Sequence, residues 1–102
     1  MDAGPQLAAL ADPTRRLIFE LINDSPCSVR QLTDQVPISQ PAVSQHLRVL
    51  RDAGLARAEP EGARTIYSSD TTGLAPLREW LESMWDDVLD AYVDVAEKET
   101  HP

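Results

Sequence analysis

The stretch Ile38-Ser39-Gln40-Pro41-Ala42-Val43-Ser44-Gln45-His46-Leu47-Arg48-Val49-Leu50-Arg51-Asp52-Ala53-Gly54 reads as one capped helix with two chemically different sides. Ser39 is placed to accept from an amide of the first turn. Ile38 before the cap and Val43 at the fourth helical position have the spacing of a hydrophobic staple, which fixes the angle at which the chain joins the helix. Val43, Leu47 and Leu50 follow at i, i+4 and i+7 and predict one inward face. Asp52-Ala53-Gly54 ends the helix, with Gly54 free to take the left-handed cap. The other side carries Gln40, Pro41, Ser44, Gln45, Arg48 and Arg51, without Lys or Glu and with Asp52 as its one acid. Gln40, Ser44, Arg48 and Arg51 share a stripe whose residue types suit a major groove: Gln pairs with adenine, Arg with guanine or phosphate, and Ser with either. The helix N-terminus adds a partial positive charge for a phosphate. A polar helix face is most often merely solvated, so the neighbouring segments decide.

Upstream, Ser28 and Gln31 have the capping-box spacing at the start of a helix whose apolar side is Val29, Leu32 and Val36 and which Pro37 closes after about two turns. Asp12-Pro13 reads as N-cap plus a proline in the first turn of a further helix, with Leu17 and Leu21 inward, Ile18 and Ile22 beside them, and Asn23-Asp24-Ser25-Pro26 as its end. Gln6 to Ala11 forms a short first helix. Two helices joined by a tight turn, the second with a polar outer face, are the helix-turn-helix arrangement.

Downstream, Leu55–Glu59 and Arg64–Ser68 read as two short strands around the turn-like Pro60-Glu61-Gly62-Ala63. Thr71 or Thr72 then begins a last helix running to about Lys98. Leu74, Leu77, Leu81, Met84, Val88, Ala91 and Val95 form a heptad-like stripe on it, widened by Trp80, Trp85, Leu89 and Tyr92. That much apolar surface on a terminal helix needs a cover. The expected fold is mainly α with a small β-hairpin, a winged helix-turn-helix in the order ααααββα, dimeric. Residues 1–102 make a single domain, with a winged core over 6–70 and a dimerisation helix over 71–98.

The chain has 102 residues and a net charge of −8, which on its face argues against nucleic acid. The distribution removes the objection. Residues 1–70 hold seven Arg against nine acids, while residues 71–102 hold two basic and eight acidic residues. DNA binding needs a basic face, not a basic total, and a thin patch implies strong salt dependence. No apolar run reaches membrane-spanning length, the N-terminus lacks a secretory pattern, and the lone Cys27 fits a cytosolic protein.

Ala9-Leu10-Ala11-Asp12-Pro13-Thr14-Arg15-Arg16 resembles the opening of the arsenic-repressor (ArsR) family of winged-helix regulators. Residues Ile38 to Leu47, Val49-Leu50 and Ala53-Gly54-Leu55 resemble that family's recognition helix, and Glu61-Gly62-Ala63-Arg64 with Tyr67 its wing. The resemblance spans residues 6 to about 92. It implies a transcription repressor in the cytoplasm, on the nucleoid, that contacts double-stranded DNA through Ser39, Gln40, Pro41, Ser44, Gln45, Arg48, Arg51, Arg64 and Tyr67. It also implies a homodimer held by the first and last helices, through Leu7 and Leu10 and through Leu74, Leu77, Leu81, Met84, Trp85 and Val88. A two-fold dimer makes the operator palindromic by symmetry.

Sensor chemistry is not expected. One site of the family uses Cys-Val-Cys on the third helix, where this chain has Ser28-Val29-Arg30, and Cys27 alone is a poor zinc or arsenic ligand. The last helix offers Asp86, Asp87, Asp90, Asp94 and Glu97 but no histidine before His101, so these read as a solvated acidic face. No metal and no cofactor is expected, and control falls either to a small organic inducer between the last helices or to expression level. Arg15 and Arg16 reach phosphate or are exposed charges. His46 packs or bonds to backbone, and Cys27 is an ordinary small residue. Tyr67 packs under the wing or meets a phosphate, and Trp80 and Trp85 belong to the core or the dimer interface. No phosphate loop, nucleophile elbow or metal cluster suggests an enzyme. The competing reading is a winged-helix protein-interaction module, which would depend on an exposed apolar patch outside the last helix.

Overall fold

The computed structural model describes the backbone of residues 2–100 and the side chains of residues 2–92. The expectations for Val95, Asp94, Glu97, Lys98 and His101 as side chains lie outside the described residues. In chain order the elements are α1 (Gly4–Ala11), α2 (Pro13–Asp24), β1 (Cys27–Ser28), α3 (Val29–Thr33), α4 (Gln40–Asp52), β2 (Ala56–Glu61), β3 (Arg64–Ser69), a 3-10 turn (Thr71–Leu74) and α5 (Ala75–Thr100).

The caps lie where the sequence puts them. The Asp12 side chain accepts from the Arg15 amide at 3.0 Å. The capping box is complete, with the Gln31 amide donating to Ser28 Oγ at 3.2 Å and the Ser28 amide to Gln31 Oε1 at 2.8 Å. Ser39 Oγ accepts from the Ala42 amide at 3.4 Å, and Gly54 takes a left-handed φ of +76°. Ser28 is buried, so Ser28→Ala strands the Gln31 amide as well as removing a cap. It is expected to destabilise by about 1–2 kcal/mol. Thermal melting should then show a fall of roughly 4–8 °C for each kcal/mol, and an unchanged midpoint would mean the box contributes nothing.

The core gathers one face from each helix: Ile18 and Ile22 of α2, Leu32 of α3, and Val43, Leu47 and Leu50 of α4, closed by Leu55. The phase of α2 differs from the expectation. Ile18, Phe19 and Ile22 are buried, Leu21 is half-buried, and Leu17 is exposed. Apolar residues at 17, 18, 19, 21 and 22 cover so wide an arc that their own spacing cannot choose the inward side, and packing on α4 and β3 chooses it.

Helix α3 is shorter than expected and ends at Thr33, although Val36 is buried all the same. The chain tightens there, with the Gln35 amide donating to the Leu32 carbonyl at 2.9 Å, and Pro37 bars residue 36 from helical geometry. The sheet has three strands rather than two, in the order β1-β3-β2 and all antiparallel, with Cys27 opposite Tyr67 and Ser28 opposite Ile66. The turn narrows from the expected four residues to Gly62-Ala63, because β2 runs through Pro60 to pair Glu61 with Arg64. Strand β2 is an edge strand, where a proline without an amide is tolerated. Gly62 has φ +65° while Ala63 does not turn positive, the pattern of a II′ hairpin.

The last segment begins at Thr71, as the sequence has it, but as a 3-10 turn capped by Asp70. Its carboxylate accepts from the Thr72 amide at 3.1 Å and from the Thr72 hydroxyl, and that hydroxyl is the main cause holding the Asp70 carboxyl below its usual range. Gly73 packs directly on backbone: a Cβ there would stand 1.8 Å from the Gly54 carbonyl oxygen. Beyond this contact α5 leaves the core. Leu74 and Leu77 are half-buried, and from Arg78 to Tyr92 every side chain is exposed.

Candidate nucleic-acid interface

Burial of Val43, Leu47 and Leu50 turns the opposite side of α4 to solvent. Gln40, Pro41, Ser44, Gln45, Arg48 and Arg51 are all exposed there, and Ser39 is exposed at the cap. Arg64, at the tip of the hairpin, is also exposed. Tyr67 is half-buried and packs against the core cluster, while its ring also borders the groove described below.

The eight arginines sort into two groups. Arg15 and Arg16 turn back onto the end of α1: Arg15 Nε donates to the Ala9 carbonyl, Arg15 Nη2 to that of Ala8 at 3.3 Å, and Arg16 Nη1 to that of Leu10 at 3.1 Å. They satisfy carbonyls that a helix end leaves without partners. Arg16 is an exposed charge near the start of α2, as one of the two sequence readings has it, and Arg15 is half-buried. Arg78 pairs with Glu82 at 2.8 Å on α5. Arg30, Arg48, Arg51, Arg57 and Arg64 form no ion pair and no side-chain hydrogen bond among the described residues, and all five are exposed. They all fall between α3 and the hairpin tip, in a chain with 17 acidic residues available to neutralise them.

His46 lies on the flank of α4, half-buried. Its Nδ1 is 3.7 Å from Asp12 Oδ2 and 3.5 Å from Arg15 Nη1, so its neighbours are side chains at the start of α2 rather than a backbone group. Gln6 ties α1 to the end of the same helix, its Nε2 donating to the Ala53 carbonyl at 3.0 Å. Cys27 is buried and its thiol donates to the Ser25 carbonyl at 3.0 Å. Burial, with the Asp24 carboxylate adding to it, pushes that thiol above its ordinary pKa, the opposite of a reactive cysteine.

A groove of about 560 Å³ runs between α3 and the wing, bordered by Arg30, Gln31, Gln40, Arg64, Thr65 and Tyr67 among others. Arg30, Gln31 and Thr65 are not singled out as contacts by sequence reasoning. They reach the site through the pairing of β1 with β3, a two-residue strand with no periodicity to betray it. Among the described residues no group of three or more His, Cys, Asp or Glu is placed to hold a metal ion. No helix there is long and apolar enough to cross a membrane.

Residues 12–58, from the cap of α2 through α4 into β2, match the bacterial regulatory protein arsR family. A transcriptional regulator of Mycobacterium tuberculosis, Rv2034, is 45% identical over 91 residues, covering 89% of this chain and 85% of that one. The chain belongs to the ArsR family. An HTH-type transcriptional repressor of the same organism, SmtB, is 40% identical over 65 residues, which cover 64% of this chain and 48% of that protein. A crystal structure described as a possible transcriptional regulator for arsenical resistance superposes with a TM-score of 0.72 at 42% identity, covering 87% of this chain and 93% of that one. The winged helix-turn-helix is therefore that of a DNA-binding transcriptional regulator.

Proposed function

We propose that this ArsR-family protein is a cytoplasmic repressor that binds a palindromic operator as a homodimer, responds to no metal, and catalyses no reaction. One observation carries the reading: the five arginines that have no intramolecular partner among the described residues lie between α3 and the wing, beside an α4 face of Gln, Ser and Arg. In that arrangement Gln40, Ser44, Gln45 and Arg48 read base edges in the major groove. Ser39, Pro41, Arg51, Arg64 and Tyr67 set the register on the sugar-phosphate backbone. The acidic surplus sits on α5, away from this face, and leaves the basic patch thin.

Selection of bound duplexes from a random pool, followed by a salt titration, tests the function. The expected result is an enriched inverted repeat whose affinity falls steeply as salt rises. Arg48→Ala should weaken operator binding by about 1–3 kcal/mol, roughly 5- to 150-fold, and relax the base preference at one position of each half-site. No enrichment at low salt by a folded protein overturns the reading in favour of a protein-interaction module.

A further inference from the structure

Helix α1 is tied to α4 at two points by polar side chains. At the end of α4, Gln6 Nε2 donates at 3.0 Å to the carbonyl of Ala53, the cap residue. Nearer the middle, His46 Nδ1 stands 3.5 Å from Arg15 Nη1, and the same guanidinium donates to the Ala8 and Ala9 carbonyls of α1. The two ties are about two turns apart along α4. Between the helices lies an open hollow of about 250 Å³, bordered by Pro5, Ala8 and Ala9 on one side and by Val49 and Asp52 on the other. The small side chains leave that seam incompletely filled, so the angle between α1 and α4 rests on the polar ties.

We propose that α1 is a strap that fixes the pose of α4 relative to the dimer face, with Gln6 and His46 as its positioning residues. The inference rests on the reading of the protein as a dimeric DNA-binding repressor. It adds the means by which the two reading helices are kept at a set separation.

The chemistry of each tie points to alignment rather than to local stability. The Ala53 carbonyl can only accept, so the Gln6 amide is held with its nitrogen toward α4. That leaves Gln6 Oε1 buried with no hydrogen-bond partner among the described residues. An orphaned buried acceptor is unfavourable. A methionine of similar length would fill the same space without one, so burial does not account for a glutamine at this place, whereas its bond to the end of α4 does. A guanidinium can only donate, so His46 Nδ1 is the acceptor in its contact with Arg15. Asp12 Oδ2 lies 3.7 Å from the same nitrogen, and it is the cap of α2. His46 is thus seated where α1 ends and α2 begins.

Neither residue needs to touch DNA to act. Gln6 is half-buried and bonds to the opposite end of α4 from Gln40, about 18 Å along the helix. Leu7, next to it in the chain, is 40% exposed and belongs to the proposed dimer interface. The strap therefore runs from that interface to the end of the helix that reads bases. A dimer whose reading helices are held in this way is preorganised for one half-site separation. Adding one base pair between the half-sites displaces the second by about 3.4 Å and about 34°, and a firmly strapped α4 cannot follow.

The test compares affinity for the selected operator with affinity for the same half-sites moved apart by one base pair, in the parent, Gln6→Met, His46→Leu and His46→Gln. Both affinities come from the same folded population, so their ratio is insensitive to a change in folding stability. The parent should bind the altered spacing more weakly. In Gln6→Met and in His46→Leu that penalty should shrink by about fivefold, the net contribution of one hydrogen bond, with the base preference within each half-site unchanged. His46→Gln, whose amide oxygen still accepts from Arg15, should restore the parent ratio. An unchanged penalty in both Gln6→Met and His46→Leu, or a parent indifferent to spacing, overturns the strap and leaves the operator reading intact. A changed base preference in the His46 variants overturns the positioning role in favour of direct contact with DNA. A Gln6→Met protein that sediments as a monomer assigns Gln6 to the interface and overturns its tie to α4 as the cause. Failure of the parent to enrich any duplex overturns the DNA-binding reading and the strap with it.

Discussion

Gly73→Ala is expected to be among the most destabilising single-methyl additions in the chain. The new Cβ would stand 1.8 Å from the Gly54 carbonyl oxygen, 2.5 Å from its carbon and 3.2 Å from the Leu55 amide nitrogen. All three are backbone atoms, so no side chain can swing aside. Nor is the segment around Gly73 free to retreat. The Asp70 amide donates to the Leu55 carbonyl at 2.9 Å, and the Gly73 amide to that of Asp70 at 3.1 Å. On the other side, Gly54 caps α4 at φ +76° and its amide donates to the Arg51 carbonyl. Relief therefore requires breaking the seam where the recognition helix ends and the last helix begins. Overpacking of this kind costs about 1–3 kcal/mol, and a clash with fixed backbone belongs at the upper end. At roughly 4–8 °C per kcal/mol, the melting midpoint should fall by more than 10 °C. Gly54→Ala makes a useful contrast. It has open space for a Cβ and is strained only by its positive φ, so it is expected to cost less. Equal or reversed effects in the two variants would show that the contact at Gly73 is slack.

That seam could not be read from the sequence, and the reason separates what was legible from what was not. Ser28, Ser39, Asp12 and Gly54 announce themselves because capping is local: the donor, the acceptor and the spacing all lie within a few residues. The inward face of α4 is equally plain, since Val43, Leu47 and Leu50 leave no second apolar side to compete. From these came the helix-turn-helix and most of the proposed contact surface. Gly73 carries no local signal, because its partner is nineteen positions back and only the folded chain brings them together. The same holds for β1, whose two residues gain their strand character from Ile66 and Tyr67. It holds for Arg30, which the sequence shows only as the third member of a triplet without thiols. Arg15 and Arg16 were ambiguous for a related reason. Their acceptors, the carbonyls at the end of α1, precede them by six or seven residues across a helix break. The uncertain phase of α2 is a different case, since five apolar residues out of six there carry too much signal rather than too little.

Introducing charge on the last helix should abolish operator binding without unfolding the protomer. Leu81, Met84, Trp85 and Val88 are 54%, 42%, 63% and 58% exposed, and Leu7 of α1 is 40% exposed. With Tyr92 exposed along that stripe and Trp80 and Leu89 exposed on its two flanks, α5 presents an apolar face larger than a soluble monomer ordinarily keeps in water. The opposite side carries Glu79, Glu82, Asp86 and Asp90, so the helix is amphipathic with its apolar half uncovered. Leu10 and Leu74 contribute less to that face, because each packs partly on its own core. In the homodimer proposed above, a second copy of the chain would supply the complementary surface, with the acidic halves kept outward. In the Leu81→Glu, Val88→Glu double variant, two carboxylates would have to be desolvated at the centre of the interface, several kcal/mol in all. The variant is therefore expected to sediment as a monomer. Its winged core should survive, because Ile18, Ile22, Leu32, Val43, Leu47, Leu50 and Leu55 are all fully buried within one protomer. Circular dichroism recorded on the same sample checks this. Once the two recognition helices are no longer linked, each half-site binds alone, and operator affinity should fall by roughly 10²- to 10⁴-fold. A variant that remains dimeric would place the interface on another surface. A monomer that holds its operator as tightly as the parent would remove the dimer from the mechanism.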